Sequence, residues 1–266
     1  MTSCSLIIST YNWLPALTLC LRSCTLQSVL PDEIIVADDG SRADTSGYIT
    51  RFAEQTNIPV KHIWQPDEGF QLAKIRNKAI AAASGDYIIQ IDGDLILHKD
   101  FIKDHINIRK QNRFVTGSRM LLSKEETERA FKAPDFNAGK FISGNKNVFN
   151  SVRITFMQNF MSTRYKKKGR YLYYVKGCNM AFWREDLVRV NGYNENFIGW
   201  GREDSDIAVR LINAGLQKQF LKFGGISFHL YHKEAPRNND EKNTALMNET
   251  IAKKIYWAEK GLNQYL

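Results

Sequence analysis

A chain of 266 residues that is 43% hydrophobic and 12% aromatic can bury one large core or two small ones, which excludes a disordered or low-complexity protein. Its formal net charge of +9 favours an anionic partner: a nucleotide, a phospholipid surface or an acidic polymer. No apolar run approaches the ~20 residues that cross a bilayer and no secretory signal precedes Cys4, so a soluble or surface-bound chain with reduced, cytosolic thiols is expected. Cys20 and Cys24 are four apart on an expected helix, a spacing that reads as core packing, not as a metal site.

In chain order, Cys4–Thr10 reads as a strand, about Ala16 to Ser28 as a helix, and Glu33–Ala37 as a second strand that stops at Asp38-Asp39-Gly40-Ser41. Two strands joined by a helix form a βαβ unit with a ligand-facing edge. The acidic pair suits a ribose or base, or else an Asp-Gly turn that caps the next helix. Val60–Trp64 is a third short strand, and Phe70–Ala83 is a helix with Ala73, Ile80 and Ala83 on one stripe. Arg76 and Asn77 fall on that stripe. A cation there needs a partner, either the acids that follow or a diphosphate.

Tyr87–Ile91 reads as a central buried strand ending at Asp92-Gly93-Asp94. Two carboxylates one residue apart at a strand's C-terminal end cannot both stay ionised in a dry site without a cation, so they either hold a divalent metal, the natural guest, or form a solvated Asp-Gly turn after the strand. Beyond it, Lys99–Lys110 is a helix whose His105 belongs to a solvated face, Phe114–Arg119 a strand, Glu125–Lys132 a short charged helix, and Pro134–Asn150 a mobile loop. Tyr165–Arg170 is a basic run between aromatics, either a solvated turn or a contact for an anionic acceptor or lipid headgroups. No DNA- or RNA-binding motif is present, so nucleic acid is not an expected partner.

In combination, Ile8–Asn12, Val36–Ser41, the Gly69…Ala73…Arg76-Asn77 helix and Ile91–Asp94 resemble the successive signatures of family 2 glycosyltransferases with the GT-A fold. Later, Trp200-Gly201-Arg202-Glu203-Asp204-Ser205-Asp206 is similar to the WGxEDxD signature of galactosyltransferases and chondroitin-type polymerases. The resemblance implies a single α/β GT-A domain over residues 1–240 around a mixed, mostly parallel sheet. Residues 1–110 would hold nucleotide and metal, and residues 111–240 the donor sugar and acceptor. It further implies that Thr10, Tyr11, Asn12, Asp38 or Asp39, Arg76, Asp92 and Gly93 bind the donor nucleotide. Asp94 would hold Mn2+ or Mg2+, with His232 a better match than His229 for the further metal ligand. Asn179, Trp200 and Gly201 would contact sugar or acceptor, with Trp200 on a mobile loop, Glu203 binding sugar and Asp204 as the catalytic base.

Residues 241–266 are expected to form a C-terminal amphipathic helix, with Leu246, Ile251, Ile255, Tyr256 and Leu262 interleaved with Lys253, Lys254 and Lys260. It would pack on the domain or touch a membrane peripherally. The function so implied is inverting, metal-dependent transfer of a hexose or N-acetylhexosamine from a UDP-sugar to a hydroxyl of a glycan or lipid-linked glycan. The setting would be bacterial-type surface polysaccharide or lipopolysaccharide synthesis, in the cytoplasm or at the inner face of the membrane. The alternative is a non-catalytic nucleotide- or glycan-binding module of the same fold.

Overall fold

The computed structural model describes residues 2–132, 150–166, 168–233 and 237–266. Strand β1 (Cys4–Thr10) is buried along its whole length, since parallel neighbours β2 (Glu33–Asp38) and β4 (Tyr87–Asp92) flank both its edges and helices cover both its faces. On one face, Leu6 and Ile8 meet Leu17, Cys20, Leu21 and Cys24 of α1 (Leu14–Thr25) and Ile49 and Phe52 of α2 (Ala43–Gln55). On the other, Ile7 meets Ala73, Ile75, Ala79 and Ile80 of α3 (Leu72–Ala82). Each fully buried Leu or Ile contributes ~1.5–3 kcal/mol, and both faces are filled in this way. Pro15 sits in the first turn of α1, where its missing N–H costs nothing.

Strand β3 (Val60–Trp64) adds to the outer edge of β2. Past β4 the direction changes: β8 (Asn179–Trp183) runs antiparallel to β4 and to β6 (Arg113–Thr116), and β9 (Gln217–Phe220) closes the sheet parallel to β6. The order is β3-β2-β1-β4-β8-β6-β9, and every pair except the two made by β8 is parallel. The expected mixed, mostly parallel sheet is therefore present.

A second sheet has the order β5-β10-β7, from β5 (Leu95–Leu97), β10 (Ser227–His229) and β7 (Met120–Leu121). It fixes the site. His229 pairs with Leu95 across the antiparallel β5–β10 ladder, and the Leu230 N–H donates to the Asp94 carbonyl at 3.0 Å, so the chain around His229 is tied to Asp94 and its neighbour Leu95.

Three expectations change. His105, on α4 (Phe101–Ile108), is not on a solvated face: it is fully buried with its Nε2 2.9 Å from Asn179 Oδ1, and burial pushes its pKa down to about 4, which keeps it neutral. The C-terminal helix, α9, runs only over Asp240–Ala252; Lys254 takes φ +51°, outside the helical region, and the chain turns back on the domain. Its buried residues are polar, Asn243 and Thr250, in place of an apolar stripe. The remaining tail is sewn down. Leu262 is fully buried and its N–H donates to the Asn191 carbonyl, while Gly261 leaves no room for a Cβ against that same carbonyl. The Pro134–Asn150 segment, up to residue 149, lies outside the described residues, as does Lys167 of the basic run. The four cysteines are buried and unpaired.

Candidate active site

The C-terminal ends of the parallel strands meet at one edge of the sheet, with Thr10 opposite Asp38 and Ser9 opposite Asp92. There a cleft of about 980 Å³ opens, and its walls include Thr10, Tyr11, Asp39, Asp92, Gly93, Asp94, Trp200, Gly201, Glu203, Asp204, His229 and His232. Residues read from both halves of the sequence therefore share one cavity.

The acid that ends β4 and the one two residues on turn to different partners. Asp92 Oδ1 accepts from Arg76 Nη2 at 3.0 Å. Asp94 Oδ2 lies 3.3 Å from His229 Nε2 and 3.1 Å from His232 Nε2. The ligand atoms of Asp94, His229 and His232 all lie within 4.8 Å of one another, while Asp94 Oδ1 is buried without a hydrogen-bond partner among the described residues. His229, ranked below His232 from the sequence, thus stands beside it. One carboxylate with two imidazoles is a donor set that suits Mn2+ better than Mg2+, which prefers oxygen alone. A hydrogen bond to Asp94 raises the pKa of His232 against the opposing effect of burial, and burial lowers that of the more enclosed His229. Trp13 packs edge-on against His232 with ring centroids 5.5 Å apart.

Arg76, of the two partners foreseen for it, takes the carboxylates. Its side chain is 1% exposed, with Nε donating to Ser9 Oγ at 3.3 Å, Nη2 to Asp92 and Nη1 to Glu203 Oε1 at 3.2 Å. The Tyr193 ring lies beneath it, 5.3 Å from the guanidinium carbon. Asn77, also on the apolar stripe, is fully buried and bonds Tyr193 and Glu195.

Glu203 and Asp204 open α8 (Glu203–Asn213), where free N–H groups favour negative charge. Asp204 Oδ2 accepts from the Gly177 N–H at 3.0 Å and its Oδ1 from the Ser205 N–H at 2.6 Å. Gly177 was not singled out from the sequence; a Cβ there would stand 3.0 Å from that of Asp204, which is the physical reason for glycine. Burial and the neighbouring Asp204 raise the pKa of Glu203, with Arg76 opposing.

Trp200 lies between Gly199 at φ +77° and Gly201 at φ +107°, and Arg202 follows at φ +75°. The loop is anchored from behind: Asn239 and Asn243 donate to the Ile198 carbonyl at 3.0 and 3.2 Å, and Asn243 also to that of Gly201 at 2.9 Å. Arg237 stacks over the Trp200 ring at 4.5 Å.

Three expected site residues stand off the cleft wall. Asn179 is fully buried, its amide donating to the Ser118 and Gly225 carbonyls at 2.8 and 3.0 Å, so it braces the β8 crossing and has no donor left for sugar. Asp38 is fully buried between the Ser41 N–H and His62; of the acidic pair it is Asp39 that lines the cavity, held by Gln65 and the Gln71 N–H. Asn12, at φ +46°, joins the end of β1 to Ser41 and Arg42. Conversely, Arg119 lines the cleft and was missed, since nothing in its local sequence marks it.

Residues 5–187 match the family model described as Glycosyl transferase family 2, and residues 158–233 the model described as N-terminal domain of galactosyltransferase. The chain is 26% identical over 255 residues to chondroitin synthase of Escherichia coli, covering 91% of this chain and 36% of that protein. It is 24% identical over 254 residues to hyaluronan synthase of Pasteurella multocida, covering 89% of this chain and 25% of that one. The chain thus spans well under half the length of these relatives. Among solved structures, S. aureus TarS in complex with UDP-GlcNAc superposes with a TM-score of 0.63 at 14% identity, covering 99% of this chain and 69% of that one. A mannosyltransferase from Pyrobaculum calidifontis in complex with GDP-Man and Mn2+ gives a TM-score of 0.61 at 16% identity, covering 96% and 72%. With the family model matching well over half of its residues and the fold shared with these structures, the chain belongs to glycosyl transferase family 2 and is a glycosyltransferase of GT-A fold.

Proposed function

We propose that the chain transfers a hexose or N-acetylhexosamine from a UDP-sugar to a glycan hydroxyl, with inversion at the anomeric carbon, in polysaccharide synthesis. The observation that carries this reading is the Asp94–His229–His232 group in the same cleft as Asp204. The polysaccharide setting is supported by likeness to proteins named chondroitin synthase and hyaluronan synthase, and the nucleotide-sugar donor by neighbours bound to UDP-GlcNAc and GDP-Man.

Asp94, His229 and His232 would hold the divalent metal, which when bound neutralises charge on the diphosphate leaving group. Thr10, Tyr11 and Asp39 line the cleft at the strand ends, where a nucleoside binds in doubly wound sheets. Asp204 takes the acceptor O–H proton as the oxygen attacks C1, and the C1–O bond to UDP breaks on the opposite side. The backbone donors from Gly177 and Ser205 fix its carboxylate before the acceptor arrives. Arg76 acts at one remove: it donates to both Asp92 and Glu203 and so fixes the start of α8, which positions Asp204 one residue on. Trp200 would cover the sugar ring and exclude water.

Peripheral contact with an anionic membrane is a subsidiary part of the proposal, supported by exposed Tyr256 and Trp257 beside exposed Lys253, Lys254 and Lys260. Vesicle sedimentation that ignores ionic strength would count against it. The main reading is tested by incubating the protein with UDP-glucose, UDP-galactose and their N-acetylated forms with Mn2+ or with chelator. Metal-dependent release of UDP, with an inverted product by NMR, is the expected result; release from no donor would refute it.

A further inference from the structure

Beside the cleft lies a second, smaller cavity of about 230 Å³, whose walls include Arg119, Tyr165, Lys166, Tyr174, Lys176 and Phe220. Arg119, Leu121, Tyr174 and Lys176 line both cavities, so the two are continuous. Lys176 is next to Gly177, whose N–H grips Asp204, so the small cavity adjoins the carboxylate read as the base.

Its chemistry is one-sided. Among the described lining residues three are cationic and none is acidic. Lys166 Nζ stands 4.8 Å from the Tyr174 ring centroid, 5.3 Å from those of Tyr165 and Phe220, and 5.6 Å from that of Tyr171. Lys176 Nζ lies 5.1 Å from the Tyr174 centroid. Ring faces hold an ammonium in place without taking its N–H donors as an oxygen would. Neither Lys166 nor Lys176 has an ion pair among the described residues, and the Arg119 Nε is buried without a hydrogen-bond partner there.

The arrangement is also constrained. Lys166 takes φ +49°, a conformation that a lysine adopts only when its surroundings impose it. Lys218 donates to the carbonyls of Tyr171 and Tyr174 and so ties down the aromatic segment. Burial, with the positive charge of Lys166 adding to it, pushes the Lys218 ammonium down to about 8. Aromatic planes next to unneutralised cations suit a sugar ring that carries a negative charge.

We propose that this cavity is an acceptor subsite for an acidic saccharide, whose carboxylate or phosphate sits against Arg119, Lys166 and Lys176 while a ring rests on the tyrosines. The inference deepens the glycosyltransferase reading and concerns the acceptor alone, so its test is a binding measurement that needs no turnover. The intact protein is titrated by ligand-observed NMR with three oligosaccharide series of equal length: neutral, uronate-bearing and phosphate-bearing. At least one anionic series should bind about tenfold or more tightly than the neutral one, with an advantage that fades as salt rises. Which series it is identifies the anion. Lys166→Gln and Lys176→Gln should each abolish most of that advantage while leaving neutral binding, UDP affinity and the melting temperature within about twofold or a few degrees of the parent. Equal binding of all three series, or variants that retain full preference for the anionic one, would overturn the subsite. Loss of UDP affinity in the parent protein would instead strike at the donor reading and leave this comparison intact.

Discussion

Arg76 and Glu203 meet at 3.2 Å across 127 residues of sequence, in a pair that joins α3 to the start of α8. The same guanidinium reaches Asp92 at 3.0 Å, so a single cation neutralises both acids. Placing two carboxylates around one fork is tolerable only because the planar guanidinium donates to both and to Ser9.

Removing that cation leaves the nearly buried Glu203 and the partly exposed Asp92 without their shared guanidinium. Arg76→Met should therefore destabilise the protein by ~3–5 kcal/mol in denaturant unfolding. Arg76→Lys, which keeps the charge but cannot fork, should recover part of the stability and little of the transfer rate. Equal stability of parent and Arg76→Met would show that the pair holds nothing together.

Asp204→Asn keeps the shape and one of the two backbone hydrogen bonds, since its amide nitrogen cannot accept, while removing basicity. Transfer should fall by about 10²–10⁴, with UDP affinity close to the parent's. Glu203→Gln should act through sugar affinity and through the loosened Arg76, raising KM as well as lowering kcat. A near-normal turnover for Asp204→Asn would rule out its role as base.

His229→Ala and His232→Ala should each weaken Mn2+ binding in calorimetry, and UDP should bind more tightly with metal than without, because diphosphate oxygens complete the shell. If only the His232 variant lost affinity, His229 would be a spectator beside Asp94.

The C-terminal helix supports the Trp200 loop through Asn239 and Asn243, and Thr250 donates to Asp206 at 2.8 Å. Asn243→Ala should thus lower kcat while sparing UDP affinity, at a cost of about 1–3 kcal/mol in stability from the carbonyls it leaves unpaired. Deletion of residues 240–266 should abolish soluble, folded protein. A truncated chain that folded and transferred sugar would make the tail an appendage.

Glu33 sets an acid limit. Burial would raise its pKa, but the ion pair with Lys61 and hydrogen bonds from Ser5 and Ser84 outweigh it and bring it down from 4.5 to about 2. A lowered folded pKa contributes stability above pH 4.5, and that contribution is lost as pH falls toward 2. Glu33→Gln should accordingly melt lower than the parent at pH 7, with the gap closing between pH 4.5 and 2. A gap that stayed constant over that range would deny Glu33 the role.

The parallel half of the fold could be read from local pattern, because a strand buried on both faces must be a short unbroken apolar run and its end is punctuated by the first polar residues. Cys4–Thr10 and Tyr87–Asp92 carry that signal most clearly, and with them come Asp92 and Asp94 at the cleft. The ordered motifs, read together, also announced the family. What each polar side chain faces was decided only by tertiary structure, since a strand or helix period assigns a residue to a face and not to a neighbour. So Asp38 turned to His62 and Asp39 to the cleft, Asn179 became a brace, and His105 was buried where a solvated face was expected. His229 joined Asp94 through a ladder register between strands more than a hundred residues apart, and Arg76 chose its carboxylates only when α8 arrived beside β4. The tail shows the same division: its lysines and aromatics suggest an amphipathic helix, but Asn243 and Thr250 face the domain because the carbonyls of the Trp200 loop and the Asp206 carboxylate need donors there.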